Sequence, residues 1–139
     1  MMNMKIWVPI FIVVVVGLWW YWANQQGTNN VVTRPDISID QPAWREKITS
    51  PLTISGRAVG NWYFEASFPI KLMNSNNQVL ATTIAQAQGD WMTTDLVDFT
   101  ASLTFPTQPA GSQGTLVFEK DNPSGLPANA DSYSVNVKF

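Results

Sequence analysis

The side chains able to do chemistry in this chain are carboxylates, hydroxyls, amines and aromatic rings, because it holds neither cysteine nor histidine. Without cysteine there is no thiolate nucleophile, no disulfide and no attachment point for a lipid anchor. Without histidine, the usual general base near neutral pH and the commonest zinc ligand are both missing. Glu65, Asp90, Asp95, Glu119 and Asp121 fall at turns or strand ends and could converge at one end of a domain. Two carboxylates at a suitable separation can hydrolyse a glycosidic bond, yet one of them must be kept protonated by burial. The sequence signals no such burial and no nucleophile with its base. An envelope glycoside hydrolase is therefore a distant alternative, and the chain is read as no enzyme. The same acids lack the dense alternation of a calcium loop. Pairing with Arg57 or Lys120 is expected instead, since charges drawn into a domain are usually paired. No metal site and no cofactor are called for.

The aromatic residues form the second set. Trp62, Tyr63 and Trp91 lie beside Gly60, Gly89 and other turn residues, which places them at one rim. Exposed there, Trp62 and Trp91 would stack on sugar rings or anchor a protein partner. The alternative is that at least one indole plugs a core between sheets. Residues 86–95 and 119–125 are richer in Gly, Asp, Asn and Trp than strand packing requires, and each segment follows an expected strand. They are expected to form one composite surface. Asp90 and Asp121 would fix the loops by bonding backbone amides, and Trp91 would be a partly exposed apolar anchor. Otherwise these residues only lock corners between strands. Trp62, Asp90, Trp91, Glu119, Asp121 and Asn122 are thus the candidate binding residues. Residues 121–125 (Asp-Asn-Pro-Ser-Gly) are turn chemistry in any case.

These residues need a scaffold, and 139 residues have room for one domain. Residues 6–23 carry no charge and are rich in Val, Ile and Trp. As a helix they would reach roughly 27 Å, close to the hydrocarbon thickness of a bilayer. Lys5 precedes the run and the next charge is Arg34, so residues 1–5 are placed in the cytoplasm and the remainder outside. Trp19, Trp20, Tyr21 and Trp22 sit where rings favour the headgroup layer. A cleaved signal peptide is the competing reading, but a cut after Ala23 would put bulky Tyr21 where a small residue is wanted. Residues 24–35 read as a flexible, Asn-rich linker.

From Asp36 onward, short alternating runs take over. Leu52, Ile54 and Ala58 share one face, and Phe64, Ala66, Phe68, Ile70 and Leu72 keep period two. Pro69 interrupts the latter and predicts an edge position or a bulge. Residues 74–77 are a hairpin turn by composition, with the returning strand over residues 79–87. Phe99, Ala101, Leu103 and Phe105 alternate next, and residues 115–119 and 133–139 add two strands. About seven strands with turns between them predict an all-β, antiparallel β-sandwich over residues 36–139. A small barrel fits the same periodicity. Phe68, Leu72, Leu103 and Phe118 are expected between the sheets.

The segments between strands carry a resemblance. Residues 50–58 (SPLTISGRA), 62–69 (WYFEASFP), 85–91 (AQAQGDW), Thr94-Asp95 and 114–125 (GTLVFEKDNPSG) together resemble the immunoglobulin-like domain associated with bacterial spore germination proteins. The resemblance covers nearly all of residues 36–139. It implies an extracytoplasmic immunoglobulin-like sandwich, often found beside a germination-type domain or on a membrane or lipid anchor. It supplies no catalytic residues.

With a formal charge of −2 and no basic patch interleaved with aromatics, nucleic acid is excluded as a partner. The expected function is a non-catalytic binding module of the bacterial cell envelope, single-pass in the cytoplasmic membrane with its C-terminal domain outside. Its partner would be an envelope protein or a wall polymer. The runner-up is a carbohydrate-binding module for wall polysaccharide, with Trp62 and Trp91 as platforms.

Overall fold

Alternating burial sets seven strands among the described residues: β1 (Ile37–Gln41), β2 (Leu52–Val59), β3 (Ser67–Asn74), β4 (Val79–Ala87), β5 (Leu96–Leu103), β6 (Gln113–Glu119) and β7 (Ser132–Lys138). The structure is a computed structural model and describes residues 34–139. The predicted transmembrane anchor at residues 6–23 lies outside the described residues. Among those described, no helix is long and apolar enough to cross a membrane.

All strand pairs are antiparallel, and they join in the order β1-β2-β5-β4-β3-β6-β7. The joint between β4 and β5 has only two residue pairs, Gln86 with Thr100 and Ala87 with Phe99. The sheet folds at this joint, and β1-β2-β5 comes to face β3-β6-β7. Phe99 then meets Phe68 across the interior at 5.0 Å between ring centroids, and Phe118 at 6.1 Å. At the far margin, residues 45–48 run parallel beside β7. Arg45 N–H donates to the Asn136 carbonyl at 2.6 Å, and Ile48 N–H to that of Lys138 at 2.8 Å. The sandwich predicted from the sequence is therefore nearly closed, and one continuous sheet takes on a barrel-like form.

The interior is apolar. Ile54 and Ala58 of β2, Phe68, Ile70 and Leu72 of β3, Val97, Phe99 and Leu103 of β5, and Leu116 and Phe118 of β6 are all buried. Burying each large side chain contributes about 1.5–3 kcal/mol, and with no disulfide this packing joins the two halves together with the hydrogen bonds at their margins. The four core residues expected from the sequence are among them.

One local expectation is corrected and another is made specific. Phe64 and Ala66 keep the period of β3 but lie before it. Phe64 and Ser67 exchange both backbone hydrogen bonds at 2.9 and 3.1 Å, and Glu65 and Ala66 take φ 50 and 64. This is the two-residue turn with positive φ at both centres that suits strand twist, so Phe64 is exposed rather than in the core. Pro69 marks no bulge, but on the β6 side it is a locally unpaired edge position. It pairs in register with Ile84 of β4, while pairing with β6 begins one residue later, at Ile70 with Phe118. The position lacking an N–H thus falls just past that ladder.

Candidate functional site

The short turn Gly60–Trp62 organises one end of the sandwich. Gly60 is there because nothing larger fits. A Cβ on it would come within 2.0 Å of the Thr93 carbonyl oxygen and 2.2 Å of that of Trp91. The β4–β5 loop, residues 88–95, is therefore pressed directly onto this turn. The β6–β7 loop, residues 120–131, joins it from the other side, where Asp121 N–H donates to the Trp62 carbonyl at 3.0 Å. The two segments expected to share one surface thus both rest on the Gly60–Trp62 turn.

Trp62 corrects an expectation. It is 1% exposed and cannot serve as a sugar platform or a partner anchor. Its ring packs edge-on to Phe68 at 5.8 Å, and its Nε1–H donates to Asp36 Oδ2 at 3.1 Å. Over the same ring lies the Arg34 guanidinium, 5.8 Å from the centroid. Arg34 grips Asp36 from Nε at 3.1 Å and Nη2 at 2.7 Å, reaches Asp131 Oδ1 from Nη1 at 3.0 Å, and also bonds Asp131 Oδ2 and the Ser132 carbonyl. These hydrogen bonds to Asp131 raise the pKa of Arg34 further above its ordinary value and hold the Asp131 carboxyl below the usual carboxylate range. The start of the domain is thereby tied to the start of β7.

The remaining candidates have distinct roles. Asp90 Oδ1 accepts the Met92 N–H at 3.0 Å, the loop-fixing bond expected of it. Asp121 does not bond backbone amides through its carboxylate; its own N–H makes the contact, and Asn122 does the side-chain work. Asn122 Nδ2 donates to the Leu126 carbonyl at 2.9 Å, and its Oδ1 accepts from Ser124 Oγ at 2.6 Å. Its carbonyl accepts the Gly125 N–H at 3.1 Å, with Gly125 at φ 66, closing the turn. Trp91 is half-buried and packs against the core, with part of its surface open. Glu119 faces the neighbouring strand and binds Lys71 Nζ at 2.8 Å. The ion pairing expected of Arg57 and Lys120 thus falls to Arg34 and Lys71. Arg57 instead lines an open polar depression of about 460 Å³ with Asp40 and Asp98.

Sequence reasoning missed the apolar tips of this end. Met92 is 76% exposed and Leu126 58%, each on one of the two seated loops, with Phe64 and Leu96 also exposed nearby in the chain's course. Four of the seven large hydrophobic side chains exposed in the described residues therefore belong to this end. Their signal in the sequence was an apolar residue inside a turn-rich segment, where no strand could carry it to the core. No group of three or more acids among the described residues is placed to hold a metal ion.

Residues 36–125 match the family described as the immunoglobulin-like domain of bacterial spore germination (Gmad2), and the chain belongs to that family. No curated protein and no solved structure matches it. An immunoglobulin-like domain of this kind fits a binding module rather than a catalyst.

Proposed function

We propose that this chain is a non-catalytic binding module, held outside a bacterial cytoplasmic membrane by residues 6–23, that engages an envelope protein through the Gly60–Trp62 end of its sandwich. The observation that carries this reading is the placing of Met92 and Leu126. Both are apolar and exposed, and each sits on a loop seated on the same rigid turn. Single exposed hydrophobes are ordinary, whereas contiguous exposed apolar surface marks an interaction site, and the loop tips of this end are read as such a surface. Loops positioned by a rigid scaffold are where binding residues collect, and apolar anchors surrounded by polar groups dominate binding energy. Asp90, Asp121 and Asn122 supply the polar surroundings, and half-buried Trp91 supplies the floor.

The tether rests on the uncharged run at residues 6–23, with Lys5 before it and Arg34 after. Arg34 packs over Trp62, so the chain enters the domain at this same end. Photo-crosslinking in intact cells tests the reading. A photoreactive residue replacing Met92 is expected to give discrete adducts, and one replacing Asn76 in the opposite hairpin is expected to give none. Adducts from both positions, or from neither, would contradict a specific loop-end surface.

A further inference from the structure

The opposite end of the domain gathers cations that have no ion-pair partner among the described residues. Arg45 lies in the turn that leads into the segment beside β7, at φ 62, and its N–H bonds the Asn136 carbonyl, while Lys47 pairs with Lys138. Ile48, Val135 and Val137 turn into the core, so Lys47, Asn136 and Lys138 share the outer face, and exposed Arg45 is held beside it by its bond to Asn136. Thr115 of β6 stands opposite Asn136 and donates to its Oδ1 at 3.3 Å. The ion pairs among the described residues involve Arg34 and Lys71, which leaves these three cations, like Arg57 and Lys120 elsewhere, without a carboxylate partner there. Glu46 is the acid in this segment, and its Oε2 accepts the Ala43 N–H at 2.6 Å. Such an accumulation runs against the domain's own charge, since residues 34–139 hold all ten acids of the chain and all of its bases except Lys5.

Trp44 stands at the rim of this face. It is 53% exposed, and the Arg45 guanidinium lies 4.7 Å from its ring centroid. The contrast with buried Trp62 is informative. One indole is spent on the core, while the other is held by a cation and left half open to water.

We infer that this face binds an anionic polysaccharide, with Trp44 against a sugar ring and Arg45, Lys47 and Lys138 paired with its acidic groups. The C–H groups on the face of a pyranose suit the electron-rich face of an indole. Uronate carboxylates or phosphodiesters would answer the cations, which a neutral glycan would leave desolvated and unpaired. Asn136 and Thr115 offer amide and hydroxyl groups to sugar hydroxyls along the same face. The carbohydrate site therefore differs from the rim of Trp62 and Trp91 expected from the sequence. It lies at the other end from the proposed protein-binding loops, so its failure would leave that reading intact.

Calorimetric titration of the full chain in nonionic detergent micelles tests the inference, with polygalacturonate, a hexose-phosphate polymer, dextran and polyglutamate as probes. One or both acidic glycans are expected to bind, and which of them does so identifies the acidic group. Dextran and polyglutamate should bind at least tenfold more weakly, and added salt should weaken the glycan complex. Trp44→Ala is expected to lower affinity for the acidic glycan at least tenfold. Lys138→Gln should lower it severalfold and flatten the salt dependence, and melting curves would verify that each variant is folded. Equal binding of dextran or polyglutamate would overturn the inference, as would no binding of either acidic glycan. So would an unchanged affinity in folded Trp44→Ala, or in Lys138→Gln should the first variant unfold.

Discussion

Tyr63 sits next to Trp62 with its ring edge-on to Phe68 at 5.1 Å, and its hydroxyl donates to the Val97 carbonyl at 2.7 Å. Burial pushes its pKa well above the ordinary value, because a phenolate there would lose both water and the bond it donates. The folded state therefore holds this proton where the unfolded chain releases it. The stabilisation is complete below about pH 10 and is lost as pH rises beyond that point. Tyr63→Phe is expected to cost about 0.5–1.5 kcal/mol at neutral pH, and the deficit should narrow above pH 10 in denaturant titrations. A deficit that stays constant to high pH would place the hydroxyl in water. At this scale the sequence was legible in part. Phe68, Leu72, Leu103 and Phe118 were readable as core from alternation alone. The Arg34 network was not, because Asp131 is 97 positions away and no local pattern links the two. Trp62 could be given to either core or rim, because a residue after a turn keeps no period that tells them apart.

Between strands, backbone fit decides the outcome. Gly60→Ala would drive a methyl into the carbonyls of Trp91 and Thr93, and overpacking of this kind costs typically 1–3 kcal/mol. The expected result is a lowered melting temperature together with faster amide exchange in residues 88–95. A variant as stable as the native chain would show that the β4–β5 loop is not seated on this turn. The neighbouring Phe64–Ser67 turn predicts the opposite sign. Ala66 holds φ 64, a conformation that glycine adopts without steric cost. Ala66→Gly should therefore raise stability by up to about 1 kcal/mol, relief of strain outweighing the greater freedom of the unfolded chain. Unchanged or reduced stability would argue against a strained turn at this site. Alternation wrongly carried β3 back to Phe64 because a two-residue turn preserves period two. The 74–77 hairpin was read correctly because its asparagines announce the turn directly. Asn74 Oδ1 accepts from the Asn76 and Gln78 amides at 2.9 and 3.0 Å, and Asn77 takes φ 60.

For the whole molecule, seven antiparallel strands and an immunoglobulin-like domain were legible from spacing and from the blocks between strands. The near closure of the sheet was not. It depends on β4 changing partners at Gln86 and Ala87 and on residues 45–48 lying beside β7, neither of which leaves a periodic trace. The candidate surface was legible as two loops, but its exposed tips were hidden among turn residues. Met92 is the point at which fold and proposed function meet most directly. Surface substitutions usually change stability by no more than about 0.5 kcal/mol, so Met92→Asp should melt within a few degrees of the native chain. With a photoreactive residue at Asn129, on the other loop of the same end, the native chain is expected to yield a discrete adduct in intact cells. Met92→Asp should abolish that adduct while the fold persists. An adduct retained at full yield by the folded variant would contradict a binding surface shared by the two loops.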